Sequence, residues 1–324
     1  MLKDEILSAL ESRRGEYCSG EALAAQFHAS RAAIWKCVEQ LRKAGFAIDA
    51  ANNKGYMLRA DSDAISEPGI RKYLTRNDFY RFEIKEETGS TNDDARERGL
   101  EGAAEGLVVI ADRQTRGRGR RNRSFFSPKG TGAYMSVLLR PRGVPIAQST
   151  RITTLAAVAV CQTVEELSGR KTEIKWVNDV LIDGKKICGI LTEASMGVEL
   201  GEIDRAVLGV GVNAFEPPNG FPEELREIAT SVFSRSSGNE RNRLIAAFLN
   251  RFADLYFAEK DDVLLSEYRA RSCTVGREIV VNLPNGETRE GVALAIDDAF
   301  RLEVEYADGT RALLTSGEVS ARIK

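Results

Sequence analysis

Leu107-Val-Val-Ile-Ala-Asp-Arg-Gln-Thr-Arg-Gly117-Arg-Gly119-Arg-Arg-Asn-Arg123 opens as an apolar strand and runs directly into six arginines interleaved with two glycines. So dense a positive charge repels itself and has no apolar side chains to fold around. The stretch therefore predicts a loop that stays mobile until an anion neutralises it. Arginine offers a planar, permanently charged fork for phosphate or carboxylate, and glycine lets backbone approach closely. A loop mounted on rigid strand ends is the usual seat of chemistry. The common nucleotide motifs do not fit: Gly117-Arg-Gly119-Arg-Arg-Asn122 lacks the third glycine of GxGxxG, and GxxxxGK[ST] does not occur.

Outward from this loop, residues 70–268 alternate strand and helix patterns. Strands are expected at Phe82–Lys85, Leu107–Ala111, Ala133–Leu139, Glu173–Trp176, Lys186–Ala194 and Arg205–Val212. Helices are expected at Thr91–Gly99, Gln148–Ser168 and Asn242–Phe257, and the mixture reads as α+β or α/β. After Cys273 short strands with turns at Leu283-Pro284-Asn285-Gly286 and Ala307-Asp308-Gly309 suggest a small β-barrel. Ahead of the alternating region, Ala60-Asp-Ser-Asp-Ala-Ile-Ser-Glu-Pro-Gly69 reads as a linker.

The first 60 residues spell a winged helix-turn-helix. Ser19 and Ser30 sit where helix caps belong, Ile34, Cys37, Val38 and Leu41 recur at helical spacing, and Gly45 ends the helix. Phe46-Ala-Ile48 and Tyr56-Met-Leu58 flank a tip carrying Lys54. The candidate DNA-contacting residues are Ser30, Arg31, Trp35, Lys36, Arg42 and Lys54, with the helix in the major groove and the wing on phosphate. Nine Lys and Arg face seven Asp and Glu here, so non-specific affinity should be modest and useful operator binding should need a dimer.

Composition narrows the chemistry. The 324 residues carry 46 Lys and Arg against 48 Asp and Glu, which excludes a uniformly basic coat, and 43% are hydrophobic, as in an ordinary globular protein. His28 is the single histidine, so histidine triads and two-histidine zinc sites would have to use it. Five scattered cysteines without CxxC, and no apolar run near membrane length, read as a cytoplasmic protein with no membrane segment.

Two further clusters stand out. Ser90-Thr91-Asn92 lies at a strand-to-helix junction, where a simple helix cap is the alternative reading. Lys175-Trp-Val-Asn178-Asp179 leads through Asp183-Gly184 to Lys186. Asn178 and Asp179 could hold magnesium through oxygen ligands and water, while Lys186 could neutralise a phosphate or carboxylate; a tight hairpin with solvated lysines is the alternative.

Gln114-Thr-Arg-Gly-Arg-Gly-Arg-Arg121, Ser127-Pro128, Tyr134-Met-Ser136, Lys175-Trp-Val-Asn-Asp179 and Lys186-Ile-Cys-Gly-Ile-Leu191, in this order, resemble biotin–protein ligase. Ser19-Gly-Glu-Ala-Leu23 and Ser30-Arg-Ala-Ala-Ile34 resemble the DNA-binding segment of its bifunctional bacterial form, the biotin operon repressor. The resemblance implies an α+β protein in three parts. These are a winged helix-turn-helix at 1–62, a class II synthetase-like ligase domain with a mixed sheet at 67–269, and an SH3-like β-barrel at 270–324.

It also implies the reaction. Biotin and MgATP give biotinyl-5′-adenylate, which then acylates one lysine of a biotin carboxyl carrier protein, an acetyl-CoA carboxylase subunit. The adenylate-bound protein forms a homodimer on operator DNA. By the same resemblance Ser90, Thr91, Asn92 and Gln114 contact biotin, and Arg118, Gly119 and Arg120 close over it. Arg120 retains the reactive intermediate, and Lys186 sits by the biotin carboxylate and α-phosphate. Arg120, Arg121, Asn178, Asp179 and Lys186 serve ATP and the adenylate, and Lys186, Arg118 and Arg120 are the catalytic set. Val177 stands where the family has proline, and Asn122 where it has a further glycine whose left-handed backbone asparagine tolerates. A ligand-sensing repressor without ligase activity and a lipoate ligase of the same superfamily are the competing readings.

Overall fold

Residues 2–58 of the computed structural model fold as three helices and a hairpin; residues 2–197, 201–234, 236–258, 262–283, 287–315 and 318–321 are described. Helix α1 (Leu2–Ser12) buries Ile6, Leu7 and Leu10. Ser19 caps α2 (Gly20–Gln26) by accepting from Glu21 N at 3.2 Å, and Ser30 caps α3 (Arg31–Lys43) by accepting from Ala33 N at 3.1 Å. Ile34, Val38 and Leu41 of α3 close a core with Leu23 and Leu58. The wing pairs β1 (Ile48–Ala51) antiparallel with β2 (Gly55–Leu58), in register Ile48↔Leu58. His28 stands exposed in the α2–α3 turn.

The stretch read as a linker is shorter than expected, because α4 (Glu67–Arg71) starts inside it. Ser66 accepts from Gly69 N, and Pro68 sits in the first helical turn, where a missing N–H costs nothing.

Seven strands form the central sheet: β3 (Arg81–Thr88), β4 (Leu107–Gln114), β5 (Gly132–Leu139), β6 (Glu173–Lys175), β7 (Asp179–Ile182), β8 (Lys185–Met196) and β9 (Ile203–Asn213), ordered β3-β4-β5-β9-β8-β7-β6. Only β3 and β4 run parallel; the other neighbours are antiparallel. β5, hydrophobic at six of eight positions, is buried throughout, as a strand covered on both faces must be. Helix α5 (Thr91–Leu100) covers one face through Ala95 against Val109, Leu138 and Val207. The other face packs on α6 (Ser149–Ser168) and α7 (Glu240–Tyr256). β7 carried no strand signal of its own; the Asp183-Gly184 turn, with φ of 51° and 75°, folds it onto β8.

Helix α8 (Asp262–Arg271) leads to β10 (Glu278–Asn282), β11 (Thr288–Ile296), β12 (Leu302–Tyr306), β13 (Arg311–Leu314) and β14 (Glu318–Ala321). They make an antiparallel sheet ordered β13-β12-β11-β10-β14. The turn expected at Leu283-Pro284-Asn285-Gly286 falls outside the described residues from 284 on. Buried side chains run without a break from the central sheet through Tyr268 and Phe300 into Ile279 and Val304.

The segment joining the winged helix to the central sheet is clamped on the start of α7. Asn242 accepts from Ser66 N at 2.9 Å and donates to Ala64 O at 2.9 Å. Arg14 donates to Ser62 O at 2.6 Å and Asn239 Oδ1 at 3.2 Å. Arg241, 6% exposed, donates through Nε to Asp63 at 2.6 Å and through Nη1 to Asp112 at 2.5 Å. Burial holds the Asp63 carboxyl above its ordinary value even against the pull of Arg241. Removing the cation would leave two carboxylates short of a partner, so Arg241→Met should destabilise the chain by about 3–5 kcal/mol. Denaturant unfolding checks this; a loss within about 0.5 kcal/mol, the range of ordinary surface substitutions, would contradict it.

Candidate active site

Because β3 and β4 are parallel, their ends project side by side, and two of the candidate segments hang there. β3 leads through Gly89 to Ser90 and α5, while β4 leads into the arginine loop. The ladder continues into the loop's root, with Thr115 N donating to Thr88 O at 2.9 Å and Arg116 N to Gly89 O at 2.8 Å. Ser90 occupies the N-cap position of α5, yet its hydroxyl makes no capping bond. The helix-cap alternative therefore does not account for it.

The stretch expected to be mobile has a defined backbone. It turns as a hairpin, with Phe125 N bonded to Gly117 O at 2.8 Å and Gly119 N to Arg123 O at 2.7 Å. A Cβ on Gly117 would lie 2.5 Å from Phe125 O, so this glycine admits the loop's own return strand. Self-repulsion is offset by partners outside the run. Arg113 pairs with Glu87, Arg118 with Asp93 and Glu193, Arg120 with Asn178, and Arg121 with Asn282 O. Left-handed backbone falls at Arg121 (φ 54°), one residue ahead of Asn122.

Loop, helix start and sheet enclose a cavity of about 160 Å³. Ser90, Thr91, Asn92, Gln114, Arg118, Gly119, Arg120, Arg121, Asn178, Asp179 and Lys186 all line it, so every residue proposed for the ligase chemistry converges there. Their environments differ. Gln114 Oε1 accepts from Thr91 N at 2.9 Å and Thr91 Oγ1 at 3.1 Å, and Gln114 Nε2 donates to Ser127 Oγ at 3.0 Å. Asn92, 4% exposed, accepts from Ser136 Oγ at 2.6 Å and donates to Glu193 Oε2 at 2.8 Å. These groups form a fixed polar wall.

The opposite side is cationic. Lys186 Nζ lies 2.7 Å from Asp179 Oδ1, and Arg120 Nη1 donates to Asn178 Oδ1 at 3.2 Å. Asn178 is pinned in turn, its Nδ2 donating to Ile190 O at 3.0 Å. In the pair considered for magnesium, Asp179 Oδ1 thus lies against the Lys186 ammonium, without a hydrogen-bond partner among the described residues, and Asn178 Oδ1 is taken by Arg120. Among the described residues no three His, Cys, Asp or Glu side chains converge on a common point. Such a donor set does not fit a metal ion held by the protein. Trp176 is buried as a wall, its indole donating to Phe300 O at 3.0 Å, and Tyr268 OH donates to Val177 O at 3.1 Å. The C-terminal part thereby braces the strand end bearing Asn178. Cys188 points into the core, where burial pushes its thiol well up, so it supplies no thiolate.

Sequence reasoning missed the floor. Gly189, Gly209 and Gly211 line the cavity on β8 and β9. A Cβ on Gly209 would lie 2.1 Å from Asn92 Oδ1, and one on Gly211 2.5 Å from Phe125. The signal was present as glycine at alternate positions of a strand, which marks close approach on one face. Asp93 and Glu193 carried no local signal, and Ser136 was noted only within the Tyr134-Met-Ser136 motif.

In the winged helix, Trp35 is 57% exposed, and Ser30, Arg31, Lys36 and Lys54 lie at the surface. Arg42 is committed elsewhere: it donates to Ile48 O at 2.8 Å and to Glu39 at 2.7 Å, bracing the wing.

Comparison with known proteins follows the same division. The family model of the biotin/lipoate A/B protein ligase family matches residues 86–213, an HTH domain model matches 3–57, and the biotin protein ligase C terminal domain matches 274–322. The bifunctional ligase/repressor BirA of Bacillus subtilis is 35% identical over 322 residues, 97% of each chain. The biotin–[acetyl-CoA-carboxylase] ligase of Mycobacterium tuberculosis is 33% identical over 246 residues, 74% of this chain and 88% of that one. The structure of biotin protein ligase from Aquifex aeolicus in complex with biotin and ATP superposes with a TM-score of 0.63 at 24% identity, over 76% of this chain and 100% of that one, a likeness of fold.

The floor yields a test independent of ligand. Gly209→Ala should displace Asn92 and cost about 1–3 kcal/mol in denaturant unfolding, as overpacking does. Gly197→Ala, whose Cβ would meet nothing nearer than 3.8 Å, is the control. Equal midpoints for the two would show that Asn92 does not need the glycine.

Proposed function

We propose, since the chain belongs to the biotin protein ligase family in its bifunctional ligase/repressor form, that the cavity beneath the arginine loop is where biotin and ATP react. The protein is a biotin protein ligase carrying a DNA-binding helix-turn-helix. The observation that carries the site assignment is the convergence of the Ser90–Asn92 turn, Gln114, the arginine loop and Lys186 on one cavity.

The reaction asks for positioning and charge more than for a nucleophile. The biotin carboxylate attacks the α-phosphorus of ATP; the α–β phosphoanhydride bond breaks, and pyrophosphate departs with its electron pair. Ser90, Thr91 and Gln114 offer short polar groups to the ureido edge of biotin. Lys186 stands where carboxylate and α-phosphate meet, neutralising both as they approach, with Asp179 setting its position by the 2.7 Å pair. Arg118, Arg120 and Arg121 cover the anionic product. Magnesium arrives with ATP on its phosphates, as part of the substrate. In the second step the amine of a lysine on a biotin carboxyl carrier protein attacks the acyl carbon and AMP leaves, so the final nucleophile belongs to the partner.

The proposed division is 1–62 for DNA binding, 67–269 for catalysis and 270–324 as the bracing β unit. Ser30, Arg31, Trp35, Lys36 and Lys54 supply the operator face, and the adenylate-bound chain acts as a homodimer. Among the described residues no helix is long and apolar enough to cross a membrane.

Pyrophosphate release on mixing protein, biotin and MgATP tests the reading. Turnover with biotin, lost by at least about 100-fold in Lys186→Gln, is expected, since one charge-stabilising donor is worth that much. Absence of turnover in the wild-type protein would remove the ligase function, and preference for lipoate would change the substrate. A separate expectation concerns Arg120: in Arg120→Gly the adenylate should escape and label bystander lysines. Labelling confined to the carrier protein would show that Arg120 does not retain it.

A further inference from the structure

Glu193 places a carboxylate on the cavity face of β8, opposite Val207 and close to the start of α5. A charge set there needs partners, and it has them on two separate elements. Its Oε2 accepts from Asn92 Nδ2 at 2.8 Å, on the polar wall, and from Arg118 Nη2 at 3.1 Å, on the arginine loop. Asp93 holds the same Arg118 nitrogen at 2.8 Å, and Arg96 spans both carboxylates, at 2.6 Å to Asp93 and 3.7 Å to Glu193. Two carboxylates and two guanidinium groups thus alternate in a closed cluster, a geometry that fixes direction better than an isolated surface pair. Arg118 lines the cavity, and its buried Nε has no hydrogen-bond partner among the described residues, so the guanidinium keeps one donor for a ligand while Nη2 is anchored.

We propose that Glu193 is a positioning residue: it ties the arginine loop, through Arg118, to the Asn92 wall, and so sets how long the acyl-adenylate stays enclosed. This rests on the ligase reading above. Glu193 touches neither reacting group; it acts through two residues that line the cavity. The consequence is a division of labour along the loop. Arg120 and Arg121 face the phosphate side, whereas Arg118 is the hinge-side fastening whose strength depends on a carboxylate the sequence places 75 residues away.

Glu193→Gln keeps the size and the acceptor for Asn92 but removes the charge that holds Arg118. The expected result is a KM for biotin raised about ten-fold with kcat lowered less than about two-fold, and faster loss of pre-formed adenylate from the protein by about ten-fold, the effect of one charge-assisted bond. Glu193→Asp should restore part of the retention. In an Arg118→Gln background, Glu193→Gln should add little, because its partner is already gone. A fall in melting temperature with KM and kcat moving together and retention unchanged would show a merely structural role and overturn the proposal. Trypsin gives a readout that needs no substrate: Glu193→Gln should speed cleavage within residues 113–123, and cleavage at the wild-type rate would overturn the fastening. Should the wild-type protein make no adenylate, the ligase reading fails, while the tryptic rates still decide whether Glu193 holds the loop.

Discussion

One buried cation holds the architecture in register. Arg241, at the start of α7, meets Asp63 on the segment leaving the winged helix and Asp112 on β4, immediately ahead of the arginine loop. Asp112 also accepts from Gly130 N at 3.2 Å, on the approach to β5. A single guanidinium therefore fixes the exit of the DNA-binding part, the first turn of a long core helix and the root of the arginine loop. Burial penalises the Asp63 charge, and the cation could not stay buried without its carboxylate partners. The neighbouring contacts are equally close. Gly238, at φ 121°, packs so tightly on Ala60 that a Cβ would lie 1.9 Å from its carbonyl oxygen. The winged helix is thus seated by polar geometry rather than by a broad apolar face, which gives its attachment direction as well as strength.

The cavity depends on a second constraint, the thinness of the sheet beneath it. Glycines at 189, 209 and 211 remove side chains from one face of adjacent antiparallel strands, and Asn92, Phe125 and Lys186 fill the space at contact distance. The polar wall can then be buried because each member is satisfied by another: Gln114 by Thr91 and Ser127, and Asn92 by Ser136 and Glu193. A satisfied network of this kind is rigid, since breaking one bond leaves a desolvated polar atom. The cavity is thus rigidly polar on one side and charged on the other.

Much of this was legible from sequence because its signals are local. Caps at Ser19 and Ser30, the helical spacing of Ile34, Val38 and Leu41, the Asp183-Gly184 turn and the arginine run each follow from neighbours within a few residues. What local reading leaves out depends on distant partners. The loop was expected to be mobile until an anion arrives because its charge was weighed alone, whereas Glu87, Asp93 and Glu193 supply part of the compensation from elsewhere in the chain. Arg42 looked like a groove-facing cation but braces the wing backbone six residues on. Asn178 and Asp179 looked like a metal pair because the sequence does not reveal that Arg120 and Lys186 fold onto them.

That last pairing bears on how the site takes its substrates. Three cations lining the cavity already have protein partners: Lys186 has Asp179, Arg120 has Asn178, and Arg118 has Asp93 and Glu193. An arriving phosphate or carboxylate therefore exchanges one set of charge-assisted bonds for another instead of meeting bare cations. Binding strength is lower than isolated charges would give, but the cations are held in place beforehand, and little reorganisation remains for the reaction step.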